Sequence, residues 1–257
     1  MVIFAGFFVF YFFLMVVAAL GFTTVNKTLI SNQSGSFLTL IIPYRNEENR
    51  IQNLLFSLEN QKDTSSISKI IFVDDHSTDS SRAQVNNWIT KQDLNCESHF
   101  LDQYHGKKRA IDLGVQNSLS EFVVIMDSDI SFKDVFFSAI KKNIDLSHDF
   151  FLTSVIERSG VIWSRISSCS ISVISLGMAS LGIPILANGA GLIFRRKCYN
   201  ELNPFHSNFH IHSGDDMYLL NSFIANKKSI KTLFNKNLII ETQGSKSVQD
   251  MIVRSLR

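Results

Sequence analysis

Asp127-Ser128-Asp129 sets two carboxylates at i, i+2 directly after the apolar run Phe122-Val123-Val124-Ile125-Met126. Two carboxylates on one short loop can share a hard divalent cation, which takes oxygen ligands and commonly bridges to phosphate. Asp is also a frequent turn residue and helix cap, so the pair has a second reading as the start of the next helix. Other acids repeat the pattern. Asp74-Asp75 ends the run Ile70-Ile71-Phe72-Val73, and Glu47-Glu48 lies just past Ile41-Ile42-Pro43. Asp215-Asp216 precedes a helix whose apolar positions are Met217, Leu219, Leu220 and Phe223. Adjacent carboxylates repel unless a donor or cation uses them. Asp79 follows Ser77 and Thr78 and reads as a cap of the helix through Trp88.

The opposite charge collects at Gly106-Lys107-Lys108-Arg109, which opens a helix. The helix dipole disfavours cations there, and a bound anion such as phosphate would relieve the cost. A solvated surface face is the bland alternative. In Asn188-Gly189-Ala190-Gly191, two glycines in four positions suggest close backbone approach to a ligand or a tight turn. His206, His210 and His212 have irregular spacing and no cysteine nearby, so they read as a loop.

The elements that must position these groups alternate. Strand 37–42, stopped by Pro43, leads to a helix with Ile51, Leu54, Leu55 and Leu58 on one face. Strand 69–73, a helix, a short strand near 98–101 and the helix after Gly106 follow. Then come the Asp127 strand, a helix near 133–144 and a strand over 149–155. This order implies an α/β fold with a largely parallel sheet covered by helices. Ligands of such sheets bind beyond the carboxyl ends of the strands. Glu47, Asp74, Asp75, Asp127 and Asp129 would therefore meet on one rim. Short strands near 230–234 and 238–240 come late in the chain.

Composition sets outer bounds. The 257 residues suffice for one large domain with a full core. A net charge of +2 gives no reason to expect a nucleic-acid partner. Cys96, Cys169 and Cys198 are odd in number and far apart, so they fit neither a disulfide framework nor a zinc cluster. Reduced thiols in a cytosolic domain are expected.

The hydrophobic fraction, 45%, is high for a purely soluble chain. Residues 1–23 carry no charged side chain, long enough to span a bilayer as a helix. No basic residue precedes the run, which favours an uncleaved transmembrane anchor over a signal peptide. Lys27, Arg45 and Arg50 follow it, so the positive-inside rule places the main domain in the cytoplasm as a single-pass membrane protein. Residues 24–36 read as a linker, and residues 37–257 as the catalytic domain. A second uncharged stretch, 166–194, reads as a helix in the membrane interface or packed under the site. Residues 247–257 read as an amphipathic helix.

Six of these stretches resemble the family 2 glycosyltransferases, inverting enzymes of GT-A fold that use nucleotide sugars. They are Ile42-Pro43-Tyr44-Arg45-Asn46-Glu47-Glu48, Phe72-Val73-Asp74-Asp75-His76-Ser77-Thr78-Asp79, Gly106-Lys107 with Ala110, Met126-Asp127-Ser128-Asp129, Asn188-Gly189-Ala190-Gly191 and Gly214-Asp215-Asp216. They stand in the family's order across residues 37–257. The resemblance implies a Rossmann-like, mostly parallel sheet flanked by helices. It implies that Pro43, Tyr44, Arg45, Glu47, Asp74 and Asp75 hold the nucleoside, with Asp75 on the base. Lys107 would approach the diphosphate. Asp127 and Asp129 would hold Mg²⁺ or Mn²⁺, Asp129 being the better ligand. Asp216 would be the general base.

The chain departs from the family in two places. Asp215 stands where Glu is common, which shortens its reach. Arg254-Ser255-Leu256-Arg257 stands where membrane-bound relatives carry a Gln-x-x-Arg-Trp segment, so a truncated C-terminal end is expected. The expected partners are a nucleotide-sugar donor, a lipid or glycan acceptor and the membrane, with no nucleic acid. An aspartate-cluster phosphatase and an inactive membrane scaffold are the competing readings. The phosphatase places its DxD loop at the first strand, whereas here it follows the fourth.

Overall fold

Runs of β-branched and aromatic residues form the middle of the molecule. Leu38–Tyr44 (β1), Ile67–Asp74 (β2), Cys96–Phe100 (β3) and Phe122–Met126 (β4) lie parallel, in the order β3-β2-β1-β4. β1 and β4 are buried along their whole length, which is why they are almost wholly apolar, the Thr39 hydroxyl of β1 donating to Ser120 Oγ at 2.7 Å. The computed structural model describes residues 2–23, 35, 37–247 and 249–250. Linker residues 24–34 and 36, and residues 248 and 251–257 of the expected terminal helix, lie outside the described residues.

β1 passes through Pro43 instead of stopping there. Its pairing with β4 ends at Ile41, so the absent N–H of Pro43 breaks no ladder on that side. On the other side Tyr44 O still accepts the Asp75 N–H at 2.9 Å. Helices α2 (Ile51–Glu59), α3 (Ser81–Ile89) and α4 (Lys107–Gln116) return the chain between these strands. α2 buries Ile51, Leu54, Leu55 and Leu58, the face expected from their spacing. α4 lies so close to β1 that a Cβ on Gly114 would stand 2.5 Å from Ile41 Cγ2.

Past β4 the alternation becomes less regular. The chain forms β5 (Ile130–Phe132), α5 (Phe136–Asn143), β6 (Phe150–Leu152), β7 (Val155–Glu157) and α6 (Ile162–Ser180). It continues with β8 (Gly191–Arg195), α7 (Arg196–Leu202), α8 (Asp215–Ala225), β9 (Ile230–Thr232) and β10 (Ile240–Thr242). β8 inserts antiparallel between β4 and β6, completing the sheet β3-β2-β1-β4-β8-β6-β9. β5, β10 and β7 make a second, smaller sheet. The run expected as one strand over 149–155 is therefore two. It leaves the large sheet after Leu152 and enters the small one at Val155.

Alternate side chains point to opposite faces of the large sheet and build a core on each. Leu40, Ile42, Phe72, Val124 and Met126 join Trp88, Phe136 and Phe137 on one face. Ile41, Val123 and Ile125 join Phe150, Phe194, Tyr199, Phe205 and Phe223 on the other. The cysteines are all free.

The apolar N-terminal run is a helix, Val2–Thr23 (α1), and it packs on α6. The crossing uses small residues. A Cβ on Gly21 would stand 2.1 Å from Gly177 O, and one on Gly177 would stand 2.2 Å from Ala18 O. Among the described residues, α6 is long and apolar enough to cross a membrane, by length and composition alone. Ile174, Leu176 and Ala179 of α6 are nevertheless buried in the protein.

Candidate functional site

The carboxyl ends of β1, β2 and β4 open onto a cavity of 280 Å³. Its lining is Pro43, Tyr44, Arg45, Glu47, Asp75, Lys107, Asp127, Ser128 and Asp129. Pro43 and Tyr44 end β1, Arg45 and Glu47 follow it, and Asp75 follows β2. Lys107 is the first residue of α4, and Asp127 to Asp129 form the turn between β4 and β5. Asp74 does not line the cavity. Its Oδ1 accepts the Ser77 N–H at 2.9 Å and holds the turn that presents Asp75.

Asp127 and Asp129 do not cap the next helix. α5 begins at Phe136, four residues past the end of β5, and its N-cap residue is Val135, with no side-chain cap bond. Asp127 is instead held by Lys107, whose Nζ lies 2.8 Å from Asp127 Oδ1 and 3.0 Å from Asp215 Oδ2. One ammonium thus ties the β4 turn to the start of α8. Burial by itself would lower the Lys107 pKa, but the two carboxylates outweigh it and hold the group above the usual lysine range.

Asp215 and Asp216 open α8 after Gly214, whose φ of +74° suits glycine. Acids in a first helical turn face the positive end of the helix dipole. Asp216 Oδ1 accepts the Met217 N–H at 2.8 Å. Burial, then the charge of Asp215, raises the Asp216 carboxyl above its ordinary pKa. The glycine loop closes over this junction. A Cβ on Gly189 would stand 3.0 Å from Lys107 Nζ and 3.2 Å from Asp215 Oδ2.

A second cation is also shared between acids. Arg50 Nη2 donates to Glu47 Oε1 at 2.6 Å, and Arg50 Nη1 to Asp129 Oδ2 at 3.2 Å. Burial, reinforced by Asp129, pushes the Glu47 carboxyl up to about 7 despite Arg50. Glu47 Oε2 is buried with no protein partner. A buried polar atom left unpaired is costly, so a ligand or ion that reached it would be favoured. Asp127, Asp129 and Glu47 offer only oxygen to the cavity, the donor set that Mg²⁺ and Mn²⁺ prefer.

Sequence reasoning missed Arg50 and Lys108. Lys108 is buried, donating to Ile211 O at 3.0 Å and Asn208 O at 3.3 Å, with Nζ 4.0 Å from the Tyr218 ring centre. It pins the segment that leads into Asp215. Burial lowers its pKa. Nothing in a run of three basic residues marks the middle one as buried. His206, His210 and His212 lie in the turns and loop between α7 and α8. Asp79 Oδ1 accepts the Ser81 N–H at 2.9 Å just ahead of α3, but the N-cap residue of that helix is Ser80, with no side-chain cap bond, so the capping role expected of Asp79 is not the one it takes.

Solved structures share this architecture. The mannosyltransferase PcManGT from Pyrobaculum calidifontis, in complex with GDP-Man and Mn²⁺, matches with a TM-score of 0.70 at 17% identity, over 95% of this chain and 68% of that one. TarS 1–349 from S. aureus, in complex with UDP-GlcNAc, matches at 0.61 and 19%, over 84% and 60%. Glucosyl-3-phosphoglycerate synthase from Mycobacterium tuberculosis, with Mn²⁺, UDP and phosphoglyceric acid, matches at 0.55 and 16%, over 85% and 74%. These likenesses define a GT-A fold. No curated protein matches the sequence. The profile of glycosyl transferase family 2 matches residues 39–203, and the chain belongs to that family.

Proposed function

We propose that the chain moves a sugar from a nucleotide-sugar donor to a hydroxyl of a lipid or polysaccharide acceptor, with inversion at the sugar carbon. The observation that carries this reading is Lys107, which joins Asp127 at the cavity to Asp215, the neighbour of Asp216. Donor-side and acceptor-side acids are thereby held at one place. Similar proteins of this fold were solved with GDP-Man, with UDP-GlcNAc and with Mn²⁺.

Pro43, Tyr44, Arg45, Glu47 and Asp75 hold the nucleoside, and Asp74 fixes the turn behind Asp75. Lys107 meets the diphosphate. Asp127 and Asp129 hold a divalent cation, Mg²⁺ or Mn²⁺, with Asp129 the principal ligand. When bound, such an ion stabilises the charge that develops on the leaving diphosphate. An acceptor hydroxyl is a weak nucleophile until a base takes its proton. Asp216 takes it, and its raised pKa suits the task. Asp215 keeps Lys107 in place. A single displacement, with the base opposite the leaving group, inverts the sugar carbon.

Residues 1–23 act as the membrane anchor, 24–36 as a linker and 37–257 as the catalytic domain on the cytoplasmic side. Exposed Phe12, Phe13 and Leu20 on α1, with Ile162, Trp163 and Ile166 on α6, supply apolar surface for lipid. Vesicle flotation of the whole chain tests the anchor, and recovery in the soluble fraction overturns it.

Family membership and the place of Asp127 after the fourth strand favour transfer over a phosphatase. The test is nucleoside diphosphate release across a panel of nucleotide sugars with Mn²⁺. Release from one donor that requires an acceptor supports transfer. Failure of every donor, together with no calorimetric heat from nucleoside diphosphate and Mn²⁺, supports a scaffold instead.

A further inference from the structure

Beside the cavity, Asp75, His76 and His105 bring three ligand atoms within 4.8 Å of one another. Asp75 Oδ1 lies 3.3 Å from His76 Nδ1 and 3.8 Å from His105 Nδ1. The Asp75 carboxylate is fixed from behind, since its Oδ2 accepts the Gly106 N–H at 2.9 Å. His76 is fixed too. It sits at φ +61°, where a residue with a side chain is uncommon, and its ring packs on Phe100 with centroids 4.9 Å apart.

The hydrogen on His76 can be placed. Nε2 lies 3.2 Å from Asp102 O, and a carbonyl oxygen only accepts, so Nε2 carries the hydrogen. In the neutral ring, Nδ1 then presents a lone pair to a carboxylate oxygen. That contact is repulsive unless a cation, either a proton on Nδ1 or a metal ion, lies between the two atoms. Protons on both imidazoles would place two like charges on rings only 3.8 Å apart. One metal ion would serve all three atoms. An N–H donated to a backbone carbonyl on the far side of the ring is also the usual orienting contact of a metal-bound histidine.

We propose that Asp75, His76 and His105 form a site for a borderline transition-metal ion, Zn²⁺ being the natural occupant, with a fourth position open to water. Two nitrogens and one oxygen suit Zn²⁺, whereas the all-oxygen set of Asp127 and Asp129 suits Mg²⁺ or Mn²⁺. Ligand atoms of a tetrahedral zinc site stand roughly 3.3 Å apart, close to the spacing of Asp75 and His76. His105, more than half exposed, stands further off at 3.8 Å, and its ring, centred 3.8 Å from that of His76, must turn for both Nδ1 lone pairs to meet one ion. Asp75 also lines the cavity. On the proposed function, in which Asp75 contacts the nucleoside, a metal ion there competes with the donor and makes transfer sensitive to Zn²⁺.

The test uses the whole chain with Co²⁺ as a visible probe, in excess Mg²⁺ to saturate oxygen-only sites. Wild type is expected to show a d–d absorption band that Zn²⁺ abolishes. His105→Ala, at an exposed position, and His76→Ala are each expected to weaken the band's affinity at least tenfold. No band in wild type, or a band unchanged in both variants, overturns the site. Nucleoside diphosphate is then titrated against the loaded protein. Mutual weakening by the same factor is expected, because binding linkage is reciprocal. A band that depends on the histidines but ignores nucleotide keeps the metal site, overturns the competition and removes Asp75 from the nucleoside contact.

Discussion

Two groups of acids in this molecule are treated in opposite ways. At the far edge of the large sheet, Asp145 accepts from Lys231 Nζ at 2.6 Å, Ser147 N at 3.0 Å and Ser147 Oγ at 2.6 Å. Asp149 accepts from Arg195 Nε at 3.1 Å, Ser229 N at 3.1 Å and Ser229 Oγ at 2.9 Å. Burial works against both charges, but these donors outweigh it and hold both carboxyls below the ordinary range. At the cavity, Lys107 and Arg50 are shared among Asp127, Asp215, Glu47 and Asp129. Glu47 in the cavity lining and Asp216 at the start of α8, which Lys107 ties to it through Asp215, are raised. Acids that hold the fold are saturated by the protein. Acids at the cavity share their cations, which leaves work for a ligand.

The comparison can be broken most sharply at Asp216. Asp216→Asn is expected to cut turnover by about 10²–10⁴-fold, the usual worth of a positioned base. Donor binding by calorimetry should change little, and undiminished turnover removes the base from this residue. Asp149→Ala tests the other group. It should cost about 2 kcal/mol in denaturant unfolding and leave nucleotide binding intact. Because the Asp149 pKa is lowered by folding, that contribution is full above the unfolded carboxylate value and is lost as pH falls through the folded one. A variant as stable as wild type at pH 7 would show that the edge acids are not structural.

Glu47→Gln should act with the opposite sign. Its folded pKa of about 7 exceeds the unfolded value, so ionisation costs stability as pH rises from about 4.5 through 7. The variant should gain about 1–2 kcal/mol over wild type at pH 8 and little at pH 5, read from unfolding curves at both. A gain that does not grow with pH contradicts the raised pKa. The smallest effect is expected at Lys62, which pairs with Asp134 at 2.7 Å while 67% exposed. Lys62→Ala should shift stability by under about 0.5 kcal/mol, and a larger loss would mean that solvated pairs also carry the fold.

The cavity side of this contrast was legible in the sequence because the same local pattern recurs there. Three apolar runs end in acids, and parallel strands carry their ends to one side. Glu47, Asp75, Asp127 and Asp129 could be read together for that reason. The edge group was not legible. Asp149 meets Ser229 from 80 positions away, and no local pattern encodes that distance. The antiparallel course of β8 was hidden for a related reason. The apolar run Leu192-Ile193-Phe194 has the same composition in either direction, and only its partners β4 and β6 decide. Lys108 was hidden because its acceptors, Asn208 and Ile211, are supplied by a distant loop.

The crossing of α1 and α6 at Ala18, Gly21 and Gly177 leaves backbone against backbone. α6 in turn packs on β7, β7 pairs with β10, and β10 pairs with β5, the strand that begins right after Asp129. Even a single methyl at Gly177 would force the two backbones apart at that crossing. The N-terminal helix and the turn that carries Asp127 and Asp129 are thus joined through a continuous series of packed and paired elements.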